Sequence, residues 1–222
     1  MFAQLLVGFR SLLFPAACLG CGLPLSGGQK QPFCPPCLGK LPRRRFPWSE
    51  RAGRSRFSFD RAASPWAYEG TARELVLALK YRGRLSLVPF LAAAMGRAAR
   101  EQIPGEPAEA VVPVPLHPTR LRERSFNQAE VLARALAAEL HLPLRTDLLA
   151  RRRPTLPQVE LSKRERRSNV EEAFALRPGV PVPKRLLLVD DILTTGATAE
   201  QCARLLKRAG ASTVDVVTLA QG

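Results

Sequence analysis

The segment LLLVDDILTTGAT, residues 186–198, combines the residue types best suited to chemistry in this chain. Asp190 and Asp191 follow an apolar run that predicts a buried strand, and the loop 193–198 then leads into a predicted helix. In open α/β sheets ligands bind beyond the carboxyl ends of the strands, and the free N–H groups at a helix N-terminus bind phosphate. Gly196 would allow close backbone approach, and the threonine hydroxyls would add donors.

Carboxylates next to a phosphate-binding turn would repel a bare phosphate, but they can accept hydrogen bonds from neighbouring hydroxyls. The segment therefore predicts a ribose 5-phosphate ligand. The G-x-x-x-x-G-K-[ST] loop of nucleotide hydrolases and the GxGxxG fingerprint are both absent. A phospho-receiver domain can place paired acids after a strand, but only 31 residues follow Asp191 in this chain of 222. Two acids that merely cap a surface turn would leave the threonine cluster unexplained.

Four of the five cysteines form two pairs, Cys18-x2-Cys21 and Cys34-x2-Cys37, separated by twelve residues. Two thiolates on each tight turn can together surround one tetrahedral ion, so the spacing predicts a structural Zn²⁺ site. Two disulfides are the alternative, which a reducing compartment disfavours. A complete four-cysteine shell leaves no open position for catalysis. Cys202 shares a helical face with leucines and is predicted to be a buried apolar residue.

The chain is basic, with 34 Lys and Arg against 19 Asp and Glu and a formal net charge of +15. This surplus predicts a polyanionic partner, either nucleic acid or phosphorylated metabolites. A GC-rich genome would favour arginine over lysine but would not account for the net charge. The arginine runs at 43–45 and 151–153 are interpreted as solvated unless an anion is present.

The apolar N-terminal segment is interrupted by Arg10, and no positively charged stretch precedes its apolar run. These features favour an amphipathic helix that docks on the protein over an export signal. No apolar run approaches the roughly 18 residues that span a bilayer. We therefore expect a cytoplasmic protein with reduced thiols and no membrane span.

Strand and helix patterns alternate along the rest of the chain, which predicts an α/β fold with a parallel sheet. Asn127 is the expected N-cap of the helix NQAEVLARALAAEL. The stretch AEAVVPVPLHPTR predicts a strand that runs into a proline-stiffened loop. The charged, proline-punctuated segment 151–170 is long for a loop in a compact domain, which indicates a lid. The predicted units are the helix and knuckle at 1–42, a basic linker at 43–60 and the main domain at 61–222.

The motif LLLVDDILTTGAT resembles the PRPP-binding motif of type I phosphoribosyltransferases. Further segments narrow the resemblance to the competence-associated ComF family, and it covers nearly the whole chain. These are the four-cysteine knuckle, LKYRG (79–83), VVPVPLHPTRLRERSFNQAEVLA (111–133) and Q-x-x-L…ER-x-S-N-V-x-x-A-F (158–174). One departure is Ser125, where the family more often has glycine.

The resemblance implies a type I phosphoribosyltransferase-like sheet flanked by helices, with roles for individual residues. Asp190 and Asp191 would hold the ribose hydroxyls and form the catalytic centre. The 5-phosphate would be bound by Leu193, Thr194, Thr195, Gly196, Ala197 and Thr198. Mg²⁺ would be carried by pyrophosphate and ribose oxygens. The pyrophosphate side and the lid would include Lys80, Tyr81, His117, Arg120, Arg122, Arg124, Asn127, Gln158, Arg166 and Asn169.

Some of these roles have plainer alternatives. His117 either contacts pyrophosphate or is merely solvated, and Lys80 either lines the site or complements a helix dipole.

Two functional hypotheses from different classes remain open. One is an enzyme that transfers phosphoribosyl from PRPP to an unidentified acceptor with release of pyrophosphate. The other is a non-catalytic scaffold or switch that binds single-stranded DNA through the knuckle and basic linker, or acts with other DNA-processing proteins. The family's association with competence and DNA uptake suggests the second, and the two can coexist.

Overall fold

The computed structural model describes residues 17–25, 32–43, 57–152 and 173–222. The expected N-terminal helix and most of the 151–170 lid lie outside the described residues, as do Gln158, Arg166 and Asn169. The described helices are α1 (Pro35–Gly39), α2 (Gly70–Arg82), α3 (Val88–Gln102), α4 (Pro118–Arg124), α5 (Gln128–Leu140) and α6 (Ala197–Arg208). The described strands are β1 (Arg61–Ala63), β2 (Trp66–Ala67), β3 (Ala110–Pro113), β4 (Leu149–Arg151), β5 (Phe174–Leu176), β6 (Arg185–Leu193) and β7 (Thr213–Gln221).

The main sheet is parallel throughout, in the order β1, β7, β6, β3, with β2 also paired to β7. Its two central strands, β6 and β7, are the longest and have mostly buried residues. Strands buried on both faces need near-continuous apolar sequence, which RLLLVDDIL and TVDVVTLAQ supply except at their acids. The predicted parallel sheet flanked by helices is therefore confirmed.

Each face of the sheet packs against its own layer. Leu187 and Val189 point into a core shared with α2, α3 and α5. Leu186 and Leu188 point into a second core with α6 and the β4–β5 pair. This alternation follows from the two-residue period of a strand. Cys202 on α6 is fully buried in the second core, as expected for an apolar role.

The helix boundaries bring polar residues to the carboxyl edge of the sheet. Asn127 caps α5 as predicted, because its Oδ1 accepts from the Ala129 N–H at 3.1 Å. Helix α2 ends at Gly83, whose φ of 56° lies in the left-handed region that glycine adopts readily. Lys80 and Tyr81 therefore lie in the last turn of α2.

The prediction of a proline-stiffened loop after β3 was wrong in part, because residues 118–124 form α4. Pro118 suits the first helical turn, where no N–H is needed, and His117 caps the helix by accepting from the Thr119 N–H at 3.2 Å. The helix ends at Ser125, which has a φ of 65°. A left-handed backbone explains why glycine suits this position, so serine carries a conformational cost here.

Two further expectations need correction. Leu193 is the last residue of β6 rather than part of the turn, and its carbonyl accepts from the Gly222 N–H at 3.0 Å. Its side chain is buried, so the turn begins at Thr194. In addition, β4 and β5 form an antiparallel pair at the two ends of the region read as a lid. Strands of three residues are too short for periodicity to reveal.

No helix within the described residues combines the length and apolar character needed to cross a bilayer.

Candidate functional site

The two acids of β6 lie at the carboxyl edge of the sheet, on its two opposite faces. Asp191 faces the layer of α2 and α5, and Asp190 faces the layer of α6 and β4. Adjacent residues of a strand point to opposite sides, so one dipeptide supplies a carboxylate to each face.

Asp191 is almost completely buried and has two side-chain partners. Its Oδ2 lies 3.0 Å from the Lys80 ammonium and accepts from Gln128 Nε2 at 3.1 Å. A buried carboxylate is costly unless it is paired and hydrogen-bonded, and both conditions hold here. The last turn of α2 and the first turn of α5 therefore fix the orientation of this acid.

Asp190 accepts a hydrogen bond from the backbone N–H of Asp191 at 2.8 Å. Burial and the negative charge of Asp191 together raise the pKa of Asp190 to about 7, against the opposing effects of that hydrogen bond and of the cations Lys80 and Arg151. Carboxyls with raised pKa values are concentrated at functional sites. Asp190 also adds to the effect of burial in raising the pKa of the Cys202 thiol.

The turn after β6 presents backbone donors to the space beside the acids. Gly196 caps α6 with a φ of 77°, and the first helical hydrogen bond runs from the Glu200 N–H to the Gly196 carbonyl. The N–H groups of residues 197–199 thus have no intrahelical partner, although that of Ala197 donates to Thr195 Oγ1 at 3.4 Å. Thr194 and Thr195 are exposed, and Thr198 is partly exposed in the first turn. The turn therefore has the features of an anion-binding helix N-terminus.

The residues predicted for the pyrophosphate side fall into two groups. Lys80 touches Asp191, and its neighbour Tyr81 contacts Arg124, whose guanidinium lies 5.0 Å from the Tyr81 ring centroid and donates to its hydroxyl at 3.4 Å. These contacts join α2 to α4 beside the acids.

Three of the other predicted residues, His117, Arg120 and Asn127, have local structural roles in this structure. His117 caps α4, and Arg120 pairs with Glu123 on the same helix at 2.8 Å. Asn127 Nδ2 also donates to the Val114 carbonyl at 3.1 Å, which fixes α5 against the end of β3.

Two residues near the acids were missed by sequence reasoning. Gln128 directly follows the predicted cap Asn127, and a helix start next to strand ends was the available signal. Arg151 was interpreted as solvated, but it is partly buried on β4, and burial lowers the pKa of its guanidinium. Its guanidinium carbon lies 5.2 Å from the Phe174 ring centroid. Arg151 therefore brings positive charge to the Asp190 face of the edge.

The four N-terminal cysteines form a compact cluster. All four sulfur atoms lie within 4.8 Å of one another, and Cys34 Sγ is 3.6 Å from Cys18 Sγ and 3.8 Å from Cys21 Sγ. Four thiolates at about 2.3 Å from a tetrahedral zinc would be about 3.8 Å apart, so the arrangement fits such an ion. All of these cysteines are free thiols, which disagrees with the disulfide alternative.

Backbone N–H groups around the cluster favour the thiolate form of Cys18, which is the form that binds metal. Burial acts to raise the pKa of Cys18, but the N–H groups of Cys34 and Gly20, at 3.3 and 3.4 Å from its sulfur, help lower it to about 6. Hydrogen bonding with Cys34 and burial raise the pKa of Cys37 to about 12. A Cβ on Gly20 would lie 2.8 Å from both Cβ and Sγ of Cys37, so only glycine fits.

The knuckle, defined as residues 17–25 and 32–43, packs on the main domain. Phe33 contacts Phe90 of α3 edge to face at 6.0 Å, and Phe90 stacks on Trp66 of β2 at 5.8 Å. The Ala67 N–H donates to the Pro42 carbonyl at 2.9 Å. The knuckle therefore shares the core of α2 and α3.

The chain matches one protein-family description and several individual proteins. Residues 127–222 match the family described as Phosphoribosyl transferase domain. The chain is 32% identical over 207 residues to the DNA utilization protein YhgH of Escherichia coli O157:H7, covering 90% of this chain and 81% of that protein. It is 36% identical over 116 residues to Competence protein F of Haemophilus influenzae, covering 51% of this chain and 50% of that protein. The chain belongs to the ComF family.

The family match and the observed parallel sheet bear out a ComF protein with a phosphoribosyltransferase fold. The ComF chain spans about half the length of the competence proteins it matches, since the alignment with Competence protein ComFC of Streptococcus pneumoniae covers 46% of that protein at 39% identity. Among solved structures, glutamine phosphoribosylpyrophosphate amidotransferase from B. subtilis aligns at 19% identity with a TM-score of 0.41, over 64% of this chain and 30% of that one.

Proposed function

We propose that this ComF protein binds PRPP at the carboxyl edge of its sheet and transfers the phosphoribosyl group to an acceptor, releasing pyrophosphate. The observation that carries the proposal is the placement of Asp190 and Asp191 directly before the turn at the N-terminus of α6. Carboxylates suit the ribose hydroxyls, and the N–H groups and threonines at 194–198 suit the 5-phosphate.

The residues around the acids provide the electrostatics that such a transfer needs. The acceptor attacks C1 of the ribose, the bond from C1 to the pyrophosphate oxygen breaks, and the pyrophosphate leaves with the bonding electrons. Lys80, Arg124 and Arg151 bring positive charge to this edge, where it would stabilise the leaving group. Mg²⁺ bound through pyrophosphate and ribose oxygens would neutralise further charge.

Calorimetric titration with PRPP and Mg²⁺ tests the binding step. We expect saturable binding to the native chain and its loss in Asp190→Ala/Asp191→Ala. Glu101→Ala/Glu106→Ala is the matched control, because it removes two exposed carboxylates outside the site and should bind normally. Undiminished binding by the Asp190→Ala/Asp191→Ala variant would remove this proposal.

The transfer step has its own test. Pyrophosphate release from PRPP should depend on the acceptor, and a screen of nucleobases, amines and DNA would identify the class. If PRPP binds but no acceptor promotes release, the site is a sensor for PRPP and not an enzyme.

A second proposed function, DNA binding, is favoured by the net charge of +15. The relatives' names, DNA utilization protein and Competence protein, support it as a proposal for this chain. The protein would then act as a scaffold or switch for single-stranded DNA, alone or with DNA-processing proteins. Binding should weaken steeply with salt, and a slope of log K against log salt near zero would exclude phosphate contacts.

We further propose that the ion of the cysteine cluster is Zn²⁺ with a structural role, since four thiolates and tetrahedral spacing suit that ion. Reduced thiols also fit the cytoplasm. Metal analysis of the purified protein should find about one zinc per chain, and a metal-free protein with full stability would contradict this role.

A further inference from the structure

Two glutamine side chains at the carboxyl edge of the sheet have buried atoms without hydrogen-bond partners. Gln128 donates to Asp191 through Nε2, but its Oε1 has no partner among the residues described. In Gln221, which is 3% exposed, neither Oε1 nor Nε2 has a partner within the described part of the chain. A buried polar atom without a partner costs free energy, so a whole amide in this condition needs a specific explanation.

Gln221 is the last residue of β7 and lies next to the turn proposed for the 5-phosphate. It shares the sheet register of Leu193, which ends β6 directly before that turn. The next N–H, that of Gly222, donates to the Leu193 carbonyl at 3.0 Å, and a Cβ built on Gly222 would lie 3.7 Å from Thr194 Cγ2. The Gln221 carbonyl accepts from the Tyr68 N–H at 2.7 Å, so the backbone that carries the amide is fixed.

The register also shows which face of the sheet carries the Gln221 side chain. The preceding residue, Ala220, is in register with Trp66, and both belong to the core of α2 and α3. Adjacent strand residues point to opposite faces, so Gln221 faces the layer of α6, as its register partner Leu193 does. This is the face on which Asp190 lies.

The strand order places Gln221 across the acids from part of the proposed pyrophosphate side. Strand β6, which carries the acids, has β3 on one side and β7 on the other. Helix α4 with Arg124 follows β3, whereas Gln221 ends β7. An acceptor that displaces pyrophosphate approaches C1 of the ribose opposite to the leaving group, because the reacting orbitals must be aligned. The acceptor is therefore expected on the β7 side.

The distance between the acids and this amide suits a ribose with an acceptor beside it. Asp190 is in register with Thr218, three residues before Gln221. With about 3.3 Å per residue along a strand and about 4.8 Å between strands, the Cα atoms of Asp190 and Gln221 are about 11 Å apart.

A primary amide offers one donor beside one acceptor. It pairs with a planar group that offers the complementary pair, such as a carboxamide or the edge of a nucleobase. We propose that Gln221 holds the acceptor of the phosphoribosyl group through such a pair of hydrogen bonds, and that this acceptor is a nucleobase or a ring that carries a carboxamide. The inference rests on the proposed transfer and names the class of acceptor.

Gln221 is a specificity-determining residue in this arrangement. A ring nitrogen of the acceptor forms the bond to C1 as the bond from C1 to the pyrophosphate oxygen breaks. Pyrophosphate leaves with the bonding electrons, and a proton on the attacking nitrogen passes to water. The amide orients the acceptor and exchanges no electrons with it.

Calorimetric titration tests the inference with four probes: adenine, uracil and nicotinamide, which present a donor beside an acceptor, and methylamine, which does not. The chain is titrated free and loaded with ribose 5-phosphate and magnesium pyrophosphate, since this mixture prevents transfer to the probes. At least one of the three planar probes should bind. Gln221→Leu should weaken that binding about ten-fold or more, because both hydrogen bonds are lost. Gln221→Glu should also weaken it, because the donor is replaced by an acceptor.

The matched control is Gln102→Leu, since both amide atoms of Gln102 are bonded to the Ser64 backbone at 3.2 Å. This control should unfold at a lower denaturant concentration and bind the probes like the native chain. Gln221→Leu should unfold at the same or a higher denaturant concentration than the native chain, because it removes buried polar atoms that have no partner.

Three results would overturn the inference: no binding of any planar probe, tighter binding of methylamine than of the planar probes, or unchanged probe binding by Gln221→Leu. A lower unfolding midpoint with unchanged binding would assign the amide to internal structure, for example through a buried water. Binding of nicotinamide alone identifies a carboxamide, and binding of adenine or uracil identifies a nucleobase.

Titration with PRPP separates this inference from the proposed function. Gln221→Leu should bind PRPP like the native chain, because its amide contacts the acceptor. If PRPP binds and probe binding does not depend on Gln221, only this inference fails. If the native chain does not bind PRPP, the proposed function fails and this inference fails with it.

Discussion

The cysteine knuckle and the acidic edge of the sheet assemble their polar groups differently. The four sulfur atoms come from residues 18–37, within two short turns of the same segment. At the acidic edge, Lys80, Gln128, Arg151 and the pair at 190–191 come from four separate elements. The knuckle is thus encoded by local spacing, whereas the edge exists only once the sheet has formed.

Because the two regions are assembled differently, we expect them to respond differently when a ligand or a polar side chain is removed. If the cluster holds the proposed ion, that ion would keep the four thiolates together, and the stability of the knuckle would depend on one binding event. The acidic edge is supported by the two cores of the sheet and should remain folded when single polar groups are removed.

The largest expected effect is on the knuckle. Cys37→Ser should remove the metal and lower the free energy of unfolding by several kcal/mol, because the cluster loses one of four ligands. Metal analysis and thermal unfolding measure both changes. Cys202→Ala is the control, since this buried thiol lies in the other core and its loss should leave the metal in place. Full metal content in Cys37→Ser would show that the cluster is not the metal site.

At the acidic edge, Lys80→Met keeps the apolar stem and removes the charge beside Asp191. We expect about ten-fold weaker PRPP binding and a loss of about 1–3 kcal/mol in stability, because a buried carboxylate loses its cation. Titration and denaturant unfolding measure these effects. Lys40→Met, at the end of α1, removes an exposed lysine and should change neither. Unchanged unfolding of Lys80→Met would mean that the pair contributes nothing to this edge.

The raised pKa of Asp190 predicts that PRPP binding at the acidic edge depends on pH near neutrality. With a pKa of about 7, Asp190 is mostly protonated near pH 6 and mostly ionised near pH 8. PRPP affinity should therefore increase by up to about ten-fold over that interval, because the ionised form accepts from the ribose hydroxyls. Asp190→Asn should bind weakly and remove this part of the dependence, which separates it from titration of the ligand phosphates.

The raised pKa of Asp190 also determines how its contribution to the free energy of unfolding changes with pH. The pKa of Asp190 in the folded protein lies above its ordinary value of 3.8, so the proton is bound more tightly in the folded state. The stabilisation from this group is complete below pH 3.8 and is lost as the pH rises through about 7. Unfolding measured near pH 8 should show Asp190→Asn to be more stable than the native chain. The opposite order would contradict the raised pKa.

The smallest effect is expected at Gln128. Gln128→Ala should cost about 1 kcal/mol of stability and weaken PRPP binding by a few-fold, because Asp191 loses one hydrogen bond but keeps Lys80. Double-mutant cycles with Lys80→Met would measure how the two partners share the carboxylate. Strictly additive effects would show that the two contacts act independently.

The features that could be predicted from the sequence are those that local patterns encode. The cysteine pairs, the cap at Asn127 and the long apolar strand before Asp190 each leave a signal within a few residues. The fold class followed from the alternation of such elements, and so did the position of the acids at a strand end.

The rest depended on contacts between distant parts of the chain. Arg151 looked solvated because a run of three arginines resembles an exposed loop, and only the β4–β5 pairing places it beside Asp190. The contact of Gln128 with Asp191 depends on the angle at which α5 meets the sheet, which no local pattern specifies. The assignments of PRPP-binding residues and the domain limits of 1–42, 43–60 and 61–222 stay predictions.

The contact between Phe33 and Phe90 has a practical consequence for anyone who shortens this protein. A cut after residue 42 follows the apparent domain limit, but it would uncover Phe90 and Trp66, which now lie under the knuckle. The shortened chain would expose an aromatic patch and self-associate. A soluble fragment would need polar substitutions on that surface, so the knuckle covers these aromatic residues in addition to carrying the cysteine cluster.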